Sequence, residues 1–181
     1  TNWYKIDRGD VVLDEEELRS KYIKPFQESI KMGVGSIMVS YNSWKGEKLH
    51  GHKYLINDVL KKELKFGGIV VSDWAGINEL DKDYKTCIIQ SINAGIDMNM
   101  VPGSLNSDDN SYDDFIRLAI ESVKEGSIPM ERIDDAVSRI LKIKKKLGLF
   151  DKPIKAPKNI MNDTATQKVA SIAIIFISTF F

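Results

Sequence analysis

Between residues 35 and 126 one order of events occurs three times: a glycine, a short apolar run, a polar loop, then an amphipathic segment that ends at another glycine. The apolar runs are residues 36–41 (Ile37, Met38 and Val39, ending in Ser40 and Tyr41), residues 69–73 (Ile69, Val70 and Val71, ending in Ser72 and Asp73) and residues 97–101 (Asp97, Met98, Asn99, Met100, Val101). Apolar and polar residues barely alternate within them, which suits strands covered on both faces of a parallel sheet. The segments between them read as helices. Residues 54–65 place Leu55, Val59, Leu60 and Leu64 on one face, and residues 83–94 do the same with Tyr84, Cys87, Ile88 and Ile92. Residues 111–125 open with a Ser111/Asp114 capping pair and close at Gly126. Apolar spacing of three and four with glycine at the far end is the mark of a helix. Upstream, Asp14 and Glu17 form a similar box, and Pro25 is expected to break or kink that helix before Gly33.

Strand–helix units of about 30 residues make right-handed crossovers. The expected fold class is therefore α/β, either a TIM-type barrel or a doubly wound open sheet. Three units fall short of the about eight strands with which a barrel closes. The chain is then a small open α/β fold or part of a (β/α)8 barrel. Both architectures put chemistry at the C-terminal ends of the strands, and here those ends carry Tyr41, Asp73 with Trp74, and Val101 with Pro102. After the third unit, Pro129 precedes a long helix expected over residues 131–147 and closed by Gly148. Residues 151–162, rich in Pro, Lys and Asn, read as a linker.

Charge removes several classes of function. The chain holds 26 Lys and Arg against 26 Asp and Glu, a balance that favours neither nucleic acid nor an anionic membrane. The basic run at residues 142–146 is interrupted by Ile143 and reads as a solvated helix end, where the helix dipole favours cations. The lone Cys87 excludes an internal disulfide and reads as a core thiol. The only long apolar run, residues 169–181, falls short of the roughly 18–20 residues of a spanning helix. It is expected to be a buried strand or the start of a further domain. With neither a start methionine nor a signal peptide, the chain is expected to be a piece of a longer one, its compartment unread.

Among residues able to carry chemistry, Asp73 stands out because a buried strand meets a loop there, next to Trp74. Hydrolysis of a glycosidic bond with retention uses two carboxyl groups about 5–5.5 Å apart, one as nucleophile and one as acid/base. The nucleophile must stay ionised, and an indole offers a face on which a sugar ring stacks. The competing reading makes Asp73 a cap for the following helix or a binder of loop amides. Tyr41 is either a donor to Asp73 or a core tyrosine. Met38 is a pocket wall or core packing. His50 and His52 lack a third ligand at metal-site spacing, so loop or capping roles are expected and no metal is. Ser40 and Ser72 lack a nucleophile elbow. No dinucleotide or phosphate loop is present, and no cofactor is expected.

These stretches resemble glycoside hydrolase family 3 in its β-glucosidase and exo-β-glucanase branch. The resemblance runs through residues 36–46, 60–74, 93–102 and 128–150, in that order and at family-like spacing. It implies that residues 1–153 are the C-terminal part of a (β/α)8 barrel and that residues 154–181 are a linker and the remnant of an α/β sandwich domain. It further implies that Asp73 is the nucleophile, that Trp74 clamps the sugar, that Tyr41 lies beside Asp73 and that Met38 lines the pocket. The implied reaction releases terminal β-linked glucose from a glucoside or oligosaccharide. The family's sugar-binding Lys-His pair, an early arginine and aspartate, and the acid/base from the sandwich domain have no counterparts here. The missing remainder of the barrel and sandwich is then the implied partner, and the fragment alone is expected to be inactive. Two rival readings stand beside this one: a non-catalytic carbohydrate-binding remnant, and a small receiver-type open sheet, for which residues 1–14 offer no strand.

Overall fold

The computed structural model describes residues 7–103 and 110–151. The expected linker beyond Asp151 and the apolar run 169–181 lie outside these residues. In chain order the elements are β1 (Asp10–Val11), α1 (Glu15–Glu17), a π-helical stretch Leu18–Ile23, α2 (Lys24–Lys31), β2 (Ser36–Met38), β3 (Ser43–Trp44), β4 (Glu47–Lys48), a 3-10 turn Leu49–Gly51, a π-helix Tyr54–Glu63, β5 (Ile69–Val71), a 3-10 turn Gly76–Glu79, α3 (Tyr84–Ala94), α4 (Tyr112–Lys124) and α5 (Met130–Lys146).

The parallel sheet forms where the repeats place it. β2 and β5 pair in parallel with Ile37 opposite Val70 and Met38 opposite Val71. Val39 N–H continues the ladder to the Val71 carbonyl at 2.9 Å. The third strand is shorter than its apolar run predicts and is reduced to a parallel bridge between Val71 and Met98. Side chains divert it. The Met100 amide donates to Ser72 Oγ at 2.8 Å rather than to a strand carbonyl, and the Met100 carbonyl accepts from Ala75 N–H at 3.0 Å. A second small sheet, not expected from the sequence, pairs β3 with β1 in parallel and with β4 antiparallel. Its hairpin turns at Lys45 and Gly46, both with positive φ, as a tight two-residue turn requires. Strands of two residues are too short to leave a periodic signal, so the segment before Asp14 looked strandless.

The helices follow their capping signals. Asp14 Oδ1 accepts from Glu17 N–H at 2.8 Å, Asp83 Oδ2 from Thr86 N–H at 2.9 Å and Ser111 Oγ from Asp114 N–H at 3.2 Å. Pro25 sits in the first turn of α2, where π winding gives way to α winding and where a residue without an N–H is tolerated. Gly95 closes α3 with φ +115°, and a Cβ there would lie 2.6 Å from Asn57 Oδ1. The π-helix keeps part of the predicted face, burying Val59 and packing Leu60 on the core, but it also buries Ile56 and Lys61, which lie outside the stripe spaced for 3.6 residues per turn. Its bonds run i to i+5, as in Leu64 N–H to the Val59 carbonyl at 2.9 Å, and that winding turns different positions inward.

The core lies on the helix-covered face of the sheet, where Ile37, Val39, Val70, Ile88, Ile96 and Ile128 are buried. The opposite face carries Met38, Val71 and Met98. The first two are half-buried, Met98 is 39% exposed and Ile69 on the same face is buried, so this face is only partly covered among the described residues.

A buried charge cluster locks β5 to the helices. The Asp97 side chain has no exposed surface and Lys61 only 5%, with Lys61 Nζ at 2.7 Å from Asp97 Oδ1. Asp97 Oδ2 accepts from Val70 N–H at 2.9 Å. Arg132 of α5 also pairs with Asp97 and donates to the Ile92 carbonyl at 3.0 Å. Arg139 ties Asp135 at 2.9 Å and donates to the carbonyls of Phe66 and Gly68. Burial pulls the Lys61 ammonium below its ordinary pKa, and the charge of Asp97 opposes that shift. Removing one partner of a buried pair strands the others. Asp97→Ala is therefore expected to cost roughly 3–5 kcal/mol, read as a lower urea midpoint with unchanged slope. Lys61→Met, which leaves Asp97 bonded to Arg132 and Val70 N–H, is expected to cost less.

Candidate active site

Parallel pairing puts alternate residues of neighbouring strands on the same face. The β2–β5 register ends at Met38 and Val71, and Asp73 follows two residues beyond it, where its N–H leaves the ladder for His50. The Asp73 side chain is half-buried at the C-terminal end of β5, neither in the apolar interior nor out in bulk water.

The main chain around Asp73 is anchored at nearly every polar atom. Ser72, 1% exposed, donates from Oγ to the Asp73 carbonyl at 2.9 Å while accepting from Met100 N–H. Ser72 N–H donates to the Met98 carbonyl at 3.0 Å, and Gly76 N–H to the Asp73 carbonyl at 3.1 Å. Ala75 adopts a left-handed conformation at φ 52°, which turns the chain sharply after Trp74. The Asp73 carboxylate is held by the next residue: Oδ1 accepts from Trp74 N–H at 2.7 Å. The Trp74 side chain is 59% exposed, an indole left uncovered beside a carboxylate.

Tyr41 reaches the same loop from just beyond the end of β2. Its hydroxyl donates to the Trp74 carbonyl and also lies within hydrogen-bonding reach of the Asp73 carboxylate. Burial raises the Tyr41 phenol above its ordinary pKa, the charge of Asp73 adds to the rise and Arg8 opposes it. The phenol therefore stays a proton donor at neutral pH. Met38 ends β2, further from the loop, and also borders an apolar cavity of about 180 Å3 with Leu18, Phe26 and Leu55.

Several residues of this assembly gave no sequence signal of function. His50, 1% exposed, accepts at Nε2 from the Asp73 N–H at 3.0 Å. Gly76 makes room for it, since a Cβ there would fall 2.3 Å from the same nitrogen. Burial pulls the His50 imidazole from 6.5 down to about 4, with Glu79 opposing and Lys48 reinforcing the change. Arg8 lies 4.1 Å above the Tyr41 ring and bonds Glu79 at 2.8 Å. Lys48 bonds Glu79 at 2.6 Å and the Tyr41 carbonyl at 3.0 Å. Burial works against ionisation of Glu79, but hydrogen bonds from Lys48 and Arg8 outweigh it and hold its carboxyl below the usual range. His52 has a local role: it stacks on Trp44 at 5.5 Å and accepts at Nδ1 from Leu55 N–H at 3.4 Å, at the start of the π-helix. Among the described residues no three His, Cys, Asp or Glu side chains gather to hold a metal ion.

Comparison with known proteins gives this geometry a family. The profile of the glycosyl hydrolase family 3 N-terminal domain matches residues 5–143. The chain is 36% identical over 169 residues to a lysosomal beta glucosidase of Dictyostelium discoideum, covering 89% of this chain and 20% of that protein. It is 33% identical over 166 residues to a beta-xylosidase of Formosa agariphila, covering 88% of this chain and 22% of that one. Its fold superposes on the crystal structure of an exo-1,3/1,4-beta-glucanase from a Pseudoalteromonas species with a TM-score of 0.74 at 36% identity, over 92% of this chain and 19% of that chain. The chain thus spans about a fifth of the length of these relatives. The family is one of glycosidases with an α/β, TIM-barrel-type N-terminal domain, and this chain belongs to it: glycosyl hydrolase family 3.

Proposed function

We propose that the chain is the nucleophile-bearing, C-terminal part of the barrel of a retaining β-glucosidase. On this reading the rest of the barrel and the general acid/base come from further polypeptide. The observation that carries the proposal is the placement of Asp73. Its carboxylate is oriented by the Trp74 amide at 2.7 Å, follows just beyond the end of β5 and has an exposed indole beside it.

In the first step an Asp73 oxygen attacks the anomeric carbon, the bond to the aglycone oxygen breaks, and that oxygen takes a proton from the general acid. In the second, the same acid/base removes a proton from water as water attacks the glycosyl–Asp73 ester, freeing glucose with its configuration retained. Trp74 stacks on the sugar, Tyr41 fixes the turn through the Trp74 carbonyl and Met38 lines the floor of the site. Glu79 does not suit the acid role: two cations hold its carboxyl ionised, whereas a general acid needs a raised pKa. The glucosidase reading follows the Dictyostelium relative, and the Formosa relative makes a β-xyloside the natural competitor substrate.

Labelling tests the nucleophile apart from the acid. A 2-deoxy-2-fluoro-β-glucoside with a dinitrophenolate leaving group needs no protonation to react. Applied to the intact protein, with whatever flanking sequence it is encoded with, it is expected to leave a covalent sugar on the peptide containing Asp73. Asp73→Asn is expected to abolish the label. Label on any other carboxylate, or sugar binding with no label, sinks the proposal, the latter in favour of a carbohydrate-binding remnant. Residues 1–181 alone are expected to hydrolyse β-glucosides at least about 10²-fold slower than the intact protein, since general acid–base assistance is typically worth that much or more. Robust turnover by the isolated chain, measured by glucose release, contradicts the proposed division of the site.

A further inference from the structure

Among the described residues, His50 is the one deeply buried titratable side chain that bonds to Asp73 and that the chemistry above leaves without a task. We infer that His50 is a positioning residue for the nucleophile: as a neutral imidazole it accepts the Asp73 N–H at Nε2 and so fixes the backbone from which the attacking carboxylate projects. The inference rests on the assignment of Asp73 as nucleophile.

The geometry leaves His50 little freedom. Its Nε2 is 3.0 Å from the Asp73 amide nitrogen, and an N–H can only donate, so this ring nitrogen carries no proton. The neutral ring then holds its proton on Nδ1, which has no hydrogen-bond partner among the described residues. Protonation of Nε2 would set two donors against each other. The groups facing the ring are the Asp73 amide, Glu79 and Lys48 with opposed charges, and the Tyr41 ring at 6.0 Å. From α3 behind the loop, Gln90 approaches Gly51 and is uncharged. Burial and this environment keep the ring neutral down to acid pH.

The other peptides of the turn have anchors of different kinds. The Asp73 carbonyl has Ser72 Oγ, the Trp74 carbonyl has the Tyr41 hydroxyl and the Ala75 amide has the Met100 carbonyl. The Asp73 amide has His50. Losing this one acceptor lets the Cα–Cβ bond of Asp73 swing, and a misplacement of about 1 Å at a reacting atom costs on the order of 10²-fold in rate. Glutamine places a neutral acceptor at a similar reach and does not titrate.

Two measurements decide it. In the 15N-labelled full chain, a scalar coupling across the hydrogen bond between the Asp73 amide nitrogen and His50 Nε2 is expected, with the His50 ring titrating well below 6.5. No coupling, or titration near the ordinary histidine value, overturns the inference. In the intact protein, the fluoro-glucoside is expected to label Asp73 about 10²-fold more slowly in His50→Ala, through the limiting rate and not the half-saturating concentration. His50→Gln is expected to restore the rate to within about tenfold. An unchanged limiting rate in His50→Ala, or a His50→Gln variant as slow as His50→Ala although folded by its amide spectrum, overturns this inference alone. Absence of label from Asp73 in the wild type removes the nucleophile assignment, and this inference with it.

Discussion

The carboxylate of Asp97 is where the sheet and three helical elements meet. It takes the Val70 N–H from the middle of β5, Lys61 from the π-helix and Arg132 from α5, and it follows directly on the turn that ends α3. Inside a protein an ion pair gains little over apolar packing, because desolvation consumes most of the attraction. Its effect is to fix register. Asp97 can satisfy both oxygens only when β5, the π-helix and α5 sit in one mutual arrangement. That arrangement decides how β5 enters the loop at Ser72 and so where Asp73 emerges.

The loop that β5 delivers is held from several sides by different chemistry. Ser72 works from below as both donor and acceptor, Met98 and Met100 from the neighbouring chain segment, Tyr41 from the preceding strand and His50 from the turn between them. The Arg8–Glu79–Lys48 triad steadies Tyr41 in turn, with Arg8 over its ring and Lys48 on its carbonyl. Most of these bonds end on backbone atoms. The Asp73 carboxylate is thus placed chiefly by the path of the main chain, while the Trp74 indole, 59% exposed, stays free to meet a ligand.

The two faces of the parallel sheet differ in kind. One packs Ile37, Val39 and Val70 against helices. The other shows Met38, Val71 and Met98 only partly covered among the described residues. Apolar side chains on a strand face call for a covering layer. In a barrel that layer is the inward-facing residues of the other strands, which fits the proposal that further polypeptide completes this site.

The strand–helix order, the helix ends and the residue at the tip of β5 were legible from local chemistry, because each depends on neighbours within a few positions. Asp14, Asp83 and Ser111 cap the helices they precede, and Gly95 ends α3, as their side chains dictate. The burial of Lys61 and the shortening of the third strand were not legible, since each is decided by a partner far along the chain, and the two-residue strands of the small sheet were too short to leave a periodic signal. The site divides the same way. A carboxylate after an apolar run and before an indole singles out Asp73 and Trp74 as candidates. Nothing local tells that a histidine 23 residues earlier takes the Asp73 amide, or that the Tyr41 hydroxyl also reaches the Trp74 carbonyl. Hydrogen bonds and ion pairs between distant residues form only once packing has brought their atoms within about 3 Å, and that distance is a property of the fold.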